Sequence, residues 1–276
     1  MPEAINDGQY LVPRLTRGQI REAITGPALV QGETLDPVLV TQLLNDVGDD
    51  PDQLSILQHA LNRTWAHWEN ESNETGALTL NDYEAMGGMA NALNRHAEKA
   101  FGELDAAGQK LCEKVFKALT DTGTDARGIR RMTQLSRLCE ITNTSIAQLT
   151  PVLAVFRKPS RSFLMPPNRE KLAPDSDIDI SHESLMRVWK RLRKWADEES
   201  QSARVFRDLR NRAQRYAAHE ASLLRDPELG IALDWRTDVE PTPAWAELYG
   251  GHFQQAMDFL DDSHALDCKQ QAVRTG

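Results

Sequence analysis

Hydrophobic residues recur at helical spacing through the first hundred residues of the chain. Three stretches place apolar side chains three and four positions apart, namely Ile20, Ala23 and Ile24; Val38, Leu39, Leu43 and Leu44; and Leu54, Leu57, Leu61, Trp65 and Trp68. This period predicts amphipathic helices. Thr16 is expected to cap the first helix and Gly26-Pro27 to end it. Residues 80–104 are predicted to be helical around Gly87-Gly88, so that 1–104 form a helical bundle.

The order of predicted elements becomes more specific from residue 109 onward. It begins with a helix (111–119), a short strand (128–132) and two short helices (135–141 and 151–156). A strand (161–165), a proline-rich loop (166–176) and a second strand (178–180) follow. Thr150-Pro151 is expected to cap the second short helix. Helix, strand, helix, helix, strand, loop, strand is the order of a winged helix-turn-helix with a small β-wing, which we predict for residues 105–197.

The hydrophobic period changes from two to 3.6 at Ser181-His182. Residues 177–180 alternate polar and apolar as a half-buried strand does, whereas apolar positions from Leu185 onward follow a helical period that is expected to continue without a break to Tyr216. Ser181 is a preferred N-cap residue, so His182 and Glu183 are expected to open this helix. Both polar side chains would then lie at a helix start, which favours an anion.

Aromatic residues are frequent in the last eighty positions. Helices are predicted near residues 228–235 and 245–260, with Thr242-Pro243 capping the second. The core of this region is expected to consist of Trp235, Trp245, Tyr249, Phe253 and Phe259. Residues 198–276 are therefore predicted to form a C-terminal helical region, and the fold class of the whole chain is predicted to be mainly α.

The charge balance argues against a general nucleic-acid-binding protein. The 276 residues carry a net charge of −9, with a pI near 5.3, whereas such proteins are usually basic. A local basic face remains an alternative; its members are Arg187, Lys190, Arg191, Arg193 and Lys194. A solvated face, or one that contacts another domain, is the simpler interpretation.

Cysteine usage and hydropathy indicate a cytoplasmic protein. Cys112, Cys139 and Cys268 are odd in number and far apart, and the first two lie in apolar helical settings. No apolar run approaches the roughly 20 residues of a membrane-spanning helix. We therefore expect a reducing compartment and no membrane span.

Motifs of independent catalysis are missing from the sequence. There is no phosphate-binding Gly-x-x-x-x-Gly-Lys-Ser/Thr loop, no HExxH and no CxxC, and Gly87-Gly88 is interpreted as a helix break. His182 and Ser184, two apart on the predicted helix, are expected to face different directions, which argues against a serine-hydrolase pair. From the residues alone, His182 is most simply a structural histidine.

Several long blocks resemble the bacterial novel STAND NTPases, the signal-transduction ATPases with numerous domains. The similarity runs in order along nearly the whole chain; its blocks are VPRLTRGQIREAITGPA (12–28), LLNDVGDDPDQLSILQHALNRTW (43–65), LNDYEAMGG (80–88), DIDISHESLMRVWKRLRKWADEE (177–199) and PTPAWAELYGGHFQQAMDFL (241–260). In that family a P-loop nucleotide-binding domain is followed by a helical lid, a winged helix and helices that lead to a sensor.

The resemblance implies that this chain corresponds to the lid, the winged helix and the connecting helices. Its partners would be an upstream P-loop nucleotide-binding domain, a downstream sensor such as a WD-repeat propeller, and further copies in a homo-oligomer of the intact protein. ADP or ATP would be bound in the intact protein only. Without the Walker A lysine and the magnesium-binding acid, the chain by itself is expected not to be an enzyme.

Two residues are candidates for nucleotide contact through this resemblance. His182 matches a winged-helix histidine that contacts the ADP β-phosphate and holds the closed state. Ser55 lies in the counterpart of a lid motif near the adenine, where family members usually have proline. Two alternatives stand beside this interpretation: a winged-helix nucleic-acid-binding regulator, and a protein-interaction scaffold in which no residue touches nucleotide.

Overall fold

The computed structural model describes residues 14–47, 53–71, 76–121, 129–159 and 161–275. The described residues form thirteen helices and five short strands, which confirms the prediction of a mainly α fold. The chain divides into two compact units, Met1–Arg95 and His96–Gly276. The predicted division into three domains stays a prediction.

The first unit consists of helices joined by short connections. They are α1 (Arg17–Val30), α2 (Pro37–Val47), α3 (Gln53–Glu71), α4 (Leu80–Ala85) and α5 (Gly88–Gly102), the last of which runs on into the second unit. Thr16 caps α1 in a capping box with Gln19, as predicted from its hydroxyl. The expected end of α1 at Gly26-Pro27 is wrong, because the helix continues to Val30 and buries Ala28. Burial of this turn outweighs the hydrogen bond that proline removes.

Tyr83 holds the break between α4 and α5. Its hydroxyl donates to the Asp46 carboxylate at 2.7 Å and accepts from the Met89 amide at 2.8 Å. Gly87 and Gly88 have φ values of +91° and +61°, a conformation that glycine adopts without steric cost. The interpretation of this pair as a helix break is therefore confirmed.

The second unit alternates helices with short strands. Its elements after α5 are α6 (Ala106–Ala118), β1 (Thr120–Asp121), β2 (Ile129–Arg130), β3 (Thr133–Gln134), α7 (Leu135–Thr142), α8 (Ile146–Arg157), β4 (Leu164–Met165), β5 (Asp177–Ile180), α9 (Ser184–Val188), α10 (Lys190–Ala217), α11 (Glu228–Val239), α12 (Pro243–Glu247) and α13 (Phe253–Thr275). The strands predicted within 128–132 and 161–165 are present in shorter form, whereas the strand predicted at 178–180 begins one residue earlier. Gly128 lies outside the described residues.

The strands form two small antiparallel sheets. Strands β1 and β2 pair with Thr120 opposite Arg130. Strand β5 lies between β3 and β4, with Ile178 opposite Thr133 and Ile180 opposite Leu164. The alternation in residues 177–180 buries Ile178 and Ile180, as the period of two predicts.

Helix α8 begins earlier than its sequence suggests. Ser145 and Gln148 form a capping box, so the expected cap at Thr150-Pro151 is wrong and Pro151 lies inside the helix. The Thr150 hydroxyl instead donates to the Ile146 carbonyl at 2.7 Å. The reciprocal bonds of the capping box satisfy two backbone donors, which a single serine or threonine cap does not.

Arg157 fastens the hairpin between β4 and β5 to the end of α8. The residue is only 3% exposed. Its guanidinium donates to the carbonyls of Pro166, Pro167 and Glu170 at 2.6, 2.8 and 2.7 Å. A buried charge is thus satisfied by three backbone acceptors on one side of the loop.

Trp189 interrupts the long helix that was expected from Leu185 to Tyr216. Its ψ of 103° ends α9 and begins α10, so the prediction of an unbroken helix is wrong over this turn. Its indole N–H donates to Glu98 at 2.7 Å, and its ring packs edge-on against Phe116 and Trp195. The break places Trp189 fully inside the core and satisfies its N–H.

The C-terminal helices form a core with α10. Trp235 and Trp245 are buried against Phe206 of α10. Thr242 caps α12, which has only five residues, so the expected single helix from Trp245 to Leu260 is wrong. Gly250 and Gly251 both have positive φ, and the last helix begins at Phe253 after this turn.

Among the described residues, no helix combines the length and the apolar character needed to cross a membrane.

Candidate functional site

His182 lies in the connection between β5 and α9. The helix begins at Ser184, two residues later than predicted, because the Ser181 amide still donates to the carbonyl of Phe163, the residue before β4. The expected cap at Ser181 is therefore wrong. The first helical bonds run from Leu185 to the His182 carbonyl at 3.1 Å and from Met186 to the Glu183 carbonyl at 3.0 Å. With five residues, α9 offers no substantial macrodipole to an anion.

The His182 ring is oriented by Ser184. The Ser184 backbone N–H donates to His182 Nδ1 at 3.1 Å, and the Ser184 hydroxyl oxygen lies 2.7 Å from the same nitrogen. A backbone amide can only donate, so Nδ1 must offer a lone pair and Nε2 must carry the ring proton. The arrangement fixes one tautomer and leaves Nε2–H as the donating atom of an exposed residue.

The expectation that His182 and Ser184 face different directions is wrong. It assumed that both residues were helical, whereas His182 precedes the helix and can turn its ring back over the first turn. The contact does not make a hydrolase pair, because Ser184 is 2% exposed and its hydroxyl is not presented to a substrate. Its consequence is a fixed imidazole.

Arg130 is the positive group beside this connection. Its Nη1 donates to Asp179 at 2.7 Å and to the Ile180 carbonyl at 2.9 Å, and its Nε lies 3.8 Å from Glu183. Partial burial of the imidazole lowers the pKa of His182 below 6.5, Arg130 lowers it further, and Glu183 opposes the shift. Near neutral pH the ring is therefore uncharged and donates through Nε2.

Sequence analysis did not single out Arg130, although the adjacent pair Arg130-Arg131 is visible in the predicted strand at 128–132. Adjacent side chains of extended backbone project to opposite sides, so Arg130, which ends β2, and Arg131, which follows it, can contact two different neighbours. Arg130 reaches the end of β5, whereas Arg131 forms an ion pair with Asp121 at 3.0 Å.

Ser55 lies in the first turn of α3, in the first unit, and is half-buried. One turn later, burial and the nearby Arg63 lower the pKa of His59 to about 4. Near neutral pH, the first two turns of α3 therefore carry the Ser55 hydroxyl and an uncharged His59 imidazole. Ser55 and His182 belong to different units.

The basic residues around Trp189 are largely engaged with carboxylates. Arg191 makes a two-pronged contact with Glu98, with Nη2 to Oε2 at 2.8 Å and Nε to Oε1 at 3.0 Å. Lys194 lies 3.5 Å from Glu198. These contacts favour the interpretation of a face that binds other parts of the protein over one that binds phosphates of a nucleic acid.

Within the described ranges, no group of three or more histidine, cysteine or acidic residues is placed to hold a metal ion. Cys112 is buried, Cys139 is half-buried and Cys268 is exposed. Burial raises the pKa of the Cys112 thiol. A buried thiol of this kind acts as a small apolar side chain.

Comparison with known proteins places the chain in a family. The family model described as Novel STAND NTPase 1 matches residues 1–223, which include α1 through α10, Ser55 and His182. Comparison with curated proteins and with solved structures gave no match. Because the family model covers well over half of the sequence, the chain belongs to the novel STAND NTPase 1 family.

Proposed function

We propose that this chain is the lid, winged-helix and connecting-helix portion of a STAND-type ATP/ADP switch. In this proposal it holds the ADP-bound resting state and couples a sensor to oligomerisation, in bacterial signalling or defence. Family membership supports the general setting. The particular roles rest on the order of elements and on His182.

The winged-helix assignment is supported by residues 106–180. Along the chain, α6 is followed by the β1–β2 pair, by β3, by α7 and α8, and by the β4–β5 hairpin. Strand β5 of this hairpin lies between β3 and β4. Arg157 closes the proline-containing hairpin loop at its base. In this assignment the β4–β5 hairpin is the wing of a helical domain. His182 then lies two residues after the last strand of the wing.

The observation that carries the nucleotide role is the fixed tautomer of His182. Its Nδ1 accepts from the Ser184 amide, so the exposed imidazole donates through Nε2–H. A donor of this kind, with Arg130 close by, fits the chemistry of a phosphate oxygen. The nucleotide itself would be held by the P-loop domain upstream, since this sequence contains no Walker A motif. The chain by itself would therefore bind a nucleotide weakly and not hydrolyse it.

His182→Ala in the intact NTPase tests this proposal. A hydrogen bond to a charged group contributes about 1.5 to 3 kcal/mol, so its loss should speed ADP dissociation about tenfold to a hundredfold. The open, oligomeric population should increase with it. Dissociation is measured by chasing a fluorescent ADP analogue, and the oligomer by light scattering.

Two further variants make the result specific. His264→Ala removes an exposed histidine elsewhere and should leave ADP retention unchanged. His182→Asn keeps a short side chain that can accept from the Ser184 amide but does not reach as far as the imidazole, so it should also release ADP. Normal ADP retention in both His182 variants would reject the nucleotide role and favour the scaffold alternative.

A further inference from the structure

A series of side-chain contacts and one backbone step connect the C-terminal helices with the residues that precede His182. It starts at Glu199 on α10, which is only 6% exposed. One oxygen of this carboxylate, Oε1, accepts from the Trp245 indole and from the Tyr249 hydroxyl, each at 2.6 Å. Because both donors belong to α12 and the turn after it, Glu199 fixes that segment on α10.

Arg131 continues the series. Its guanidinium lies over the Tyr249 ring, 5.6 Å from the ring centroid, as in a cation–π contact. The phenol that donates to Glu199 stays neutral, since burial and the nearby Glu199 raise the pKa of Tyr249. Arg131 also pairs with Asp121 of β1. The C-terminal turn is thereby joined to the β1–β2 pair.

Arg130, the last residue of β2, completes the series. Arg131 follows it directly and contacts the C-terminal turn, whereas Arg130 contacts β5. Arg130 Nη1 donates both to Asp179 and to the Ile180 carbonyl, the last two residues of β5. Ile180 is two residues before His182.

We propose that this series, which consists of Glu199, Tyr249, Arg131 and Arg130 and is called here the Glu199–Arg130 series, positions His182 according to the placement of the C-terminal helices. The proposal rests on the proposed nucleotide role of His182 and adds the route by which the C-terminal side regulates it. A displacement of α12 moves Tyr249 and thereby changes its contact with Arg131. Because Arg131 directly follows β2, the position of Arg130 changes too, and with it the hydrogen bonds that fix the end of β5. Arg130 and Arg131 are positioning residues that touch no nucleotide.

Hydrogen exchange of the 276-residue chain tests the series without any nucleotide. Tyr249→Phe keeps the ring that lies over Arg131 and removes the hydroxyl that fixes this ring to Glu199. Amides in residues 177–188 should then exchange about threefold faster or more, a typical size for coupling between sites. Amides of α8 should keep their rate, because α8 contributes no member of the series. The matched control is Tyr216→Phe, which alters a partly exposed tyrosine of α10 and should change neither region.

Two outcomes would overturn the inference. One is an unchanged exchange rate in residues 177–188. The other is equal acceleration there and in α8, which would mean that Tyr249→Phe lowers only the overall stability. A double-mutant cycle gives the independent check: in an Arg131→Gln background, Tyr249→Phe should no longer accelerate exchange in 177–188, whereas additive effects would reject the route through Arg131.

ADP dissociation from the intact NTPase separates this inference from the proposed function. If His182→Ala leaves ADP retention unchanged, the nucleotide role fails, and with it the regulatory meaning of the series, even where exchange shows the coupling. If His182→Ala releases ADP but Tyr249→Phe changes neither exchange nor ADP retention, the nucleotide role stands and the series is rejected. Support for both requires faster ADP release in Tyr249→Phe as well.

Discussion

Ser184 donates its backbone N–H to Nδ1 of His182 at 3.1 Å, two residues back along the chain. The imidazole therefore takes the place that the Ser181 hydroxyl was expected to occupy at the start of α9. A side chain that accepts from an unpaired amide of the first turn stabilises that turn. His182 thus has two roles in our interpretation, a local one through Nδ1 and a ligand-directed one through Nε2.

The local role predicts a measurable stability effect. His182→Ala removes the acceptor for the Ser184 amide and should lower the free energy of unfolding by about 0.5 to 2 kcal/mol, the usual range for a lost N-terminal cap. His182→Asn should retain more of that stability than alanine does. Urea unfolding followed by circular dichroism gives both values. Equal stability of the alanine variant and the unaltered chain would mean that the ring does not cap α9.

The sequence predicted elements well where local signals agree with burial. Residues 135–141 were predicted as a short helix and form α7, and the alternating residues 177–180 form β5. The exact ends were less predictable where two local signals compete. Ser145 and Thr150 are both good caps, and the capping box of Ser145 with Gln148 decides between them. The sequence alone does not rank such neighbours.

Long-range contacts explain what the sequence could not predict. The helical pattern around Trp189 is regular, yet the helix breaks there because its indole bonds to Glu98, 91 residues earlier in the chain. The site shows the same limit. His182 could be singled out from the sequence and the resemblance, but its bond to Ser184 depends on a helix start shifted by two residues. Arg130 reaches the neighbouring Ile180 carbonyl from 50 residues away.

Arg157 should be irreplaceable by lysine. Its planar guanidinium serves three carbonyls of the β4–β5 hairpin, whereas a lysine ammonium presents its donors from one point and cannot span Pro166 and Glu170 together. Arg157→Lys should lower the free energy of unfolding by about 2 to 4 kcal/mol, because buried carbonyls lose their donors.

The control for this substitution is Arg193→Lys on the exposed side of α10, which should change the stability by less than about 0.5 kcal/mol. Both variants are compared by urea unfolding. An Arg157→Lys chain as stable as the control would show that water can replace the three hydrogen bonds.

His59 should make the protein less stable in mild acid. Burial, with a smaller contribution from Arg63, lowers the pKa of His59 in the folded chain to about 4, whereas the unfolded value is 6.5. Between these two values the unfolded chain binds more protons than the folded chain does, so stability falls as the pH falls from 6.5 toward 4. Once the pH is below both pKa values, this group has lowered the free energy of unfolding by about 3 kcal/mol.

His59→Gln removes the titrating group and should flatten this part of the curve of unfolding free energy against pH. His264→Gln replaces an exposed histidine and should leave the curve unchanged. Unfolding by urea at half-unit steps from pH 7.5 to 4.5 measures all three proteins. If His59→Gln loses stability toward low pH as steeply as the unaltered chain does, groups other than His59 cause the loss.

Gly250 is the glycine whose replacement should be most harmful to the C-terminal turn. Its φ is +104°, a conformation that is strained for any residue with a Cβ, and an added Cβ would lie 1.8 Å from Nη1 of Arg210. That same Nη1 donates to the Tyr249 carbonyl at 2.9 Å, so an alanine must displace the guanidinium and break this bond. Gly250→Ala should therefore lower the free energy of unfolding by about 2 to 4 kcal/mol, from backbone strain and the lost hydrogen bond together.

Gly102→Ala is the matched control, because Gly102 ends a helix with open space around its Cβ position. The stability of this variant should be unchanged or slightly higher. Thermal and urea unfolding compare the two, and equal stability of both variants would show that the turn after α12 accommodates a side chain.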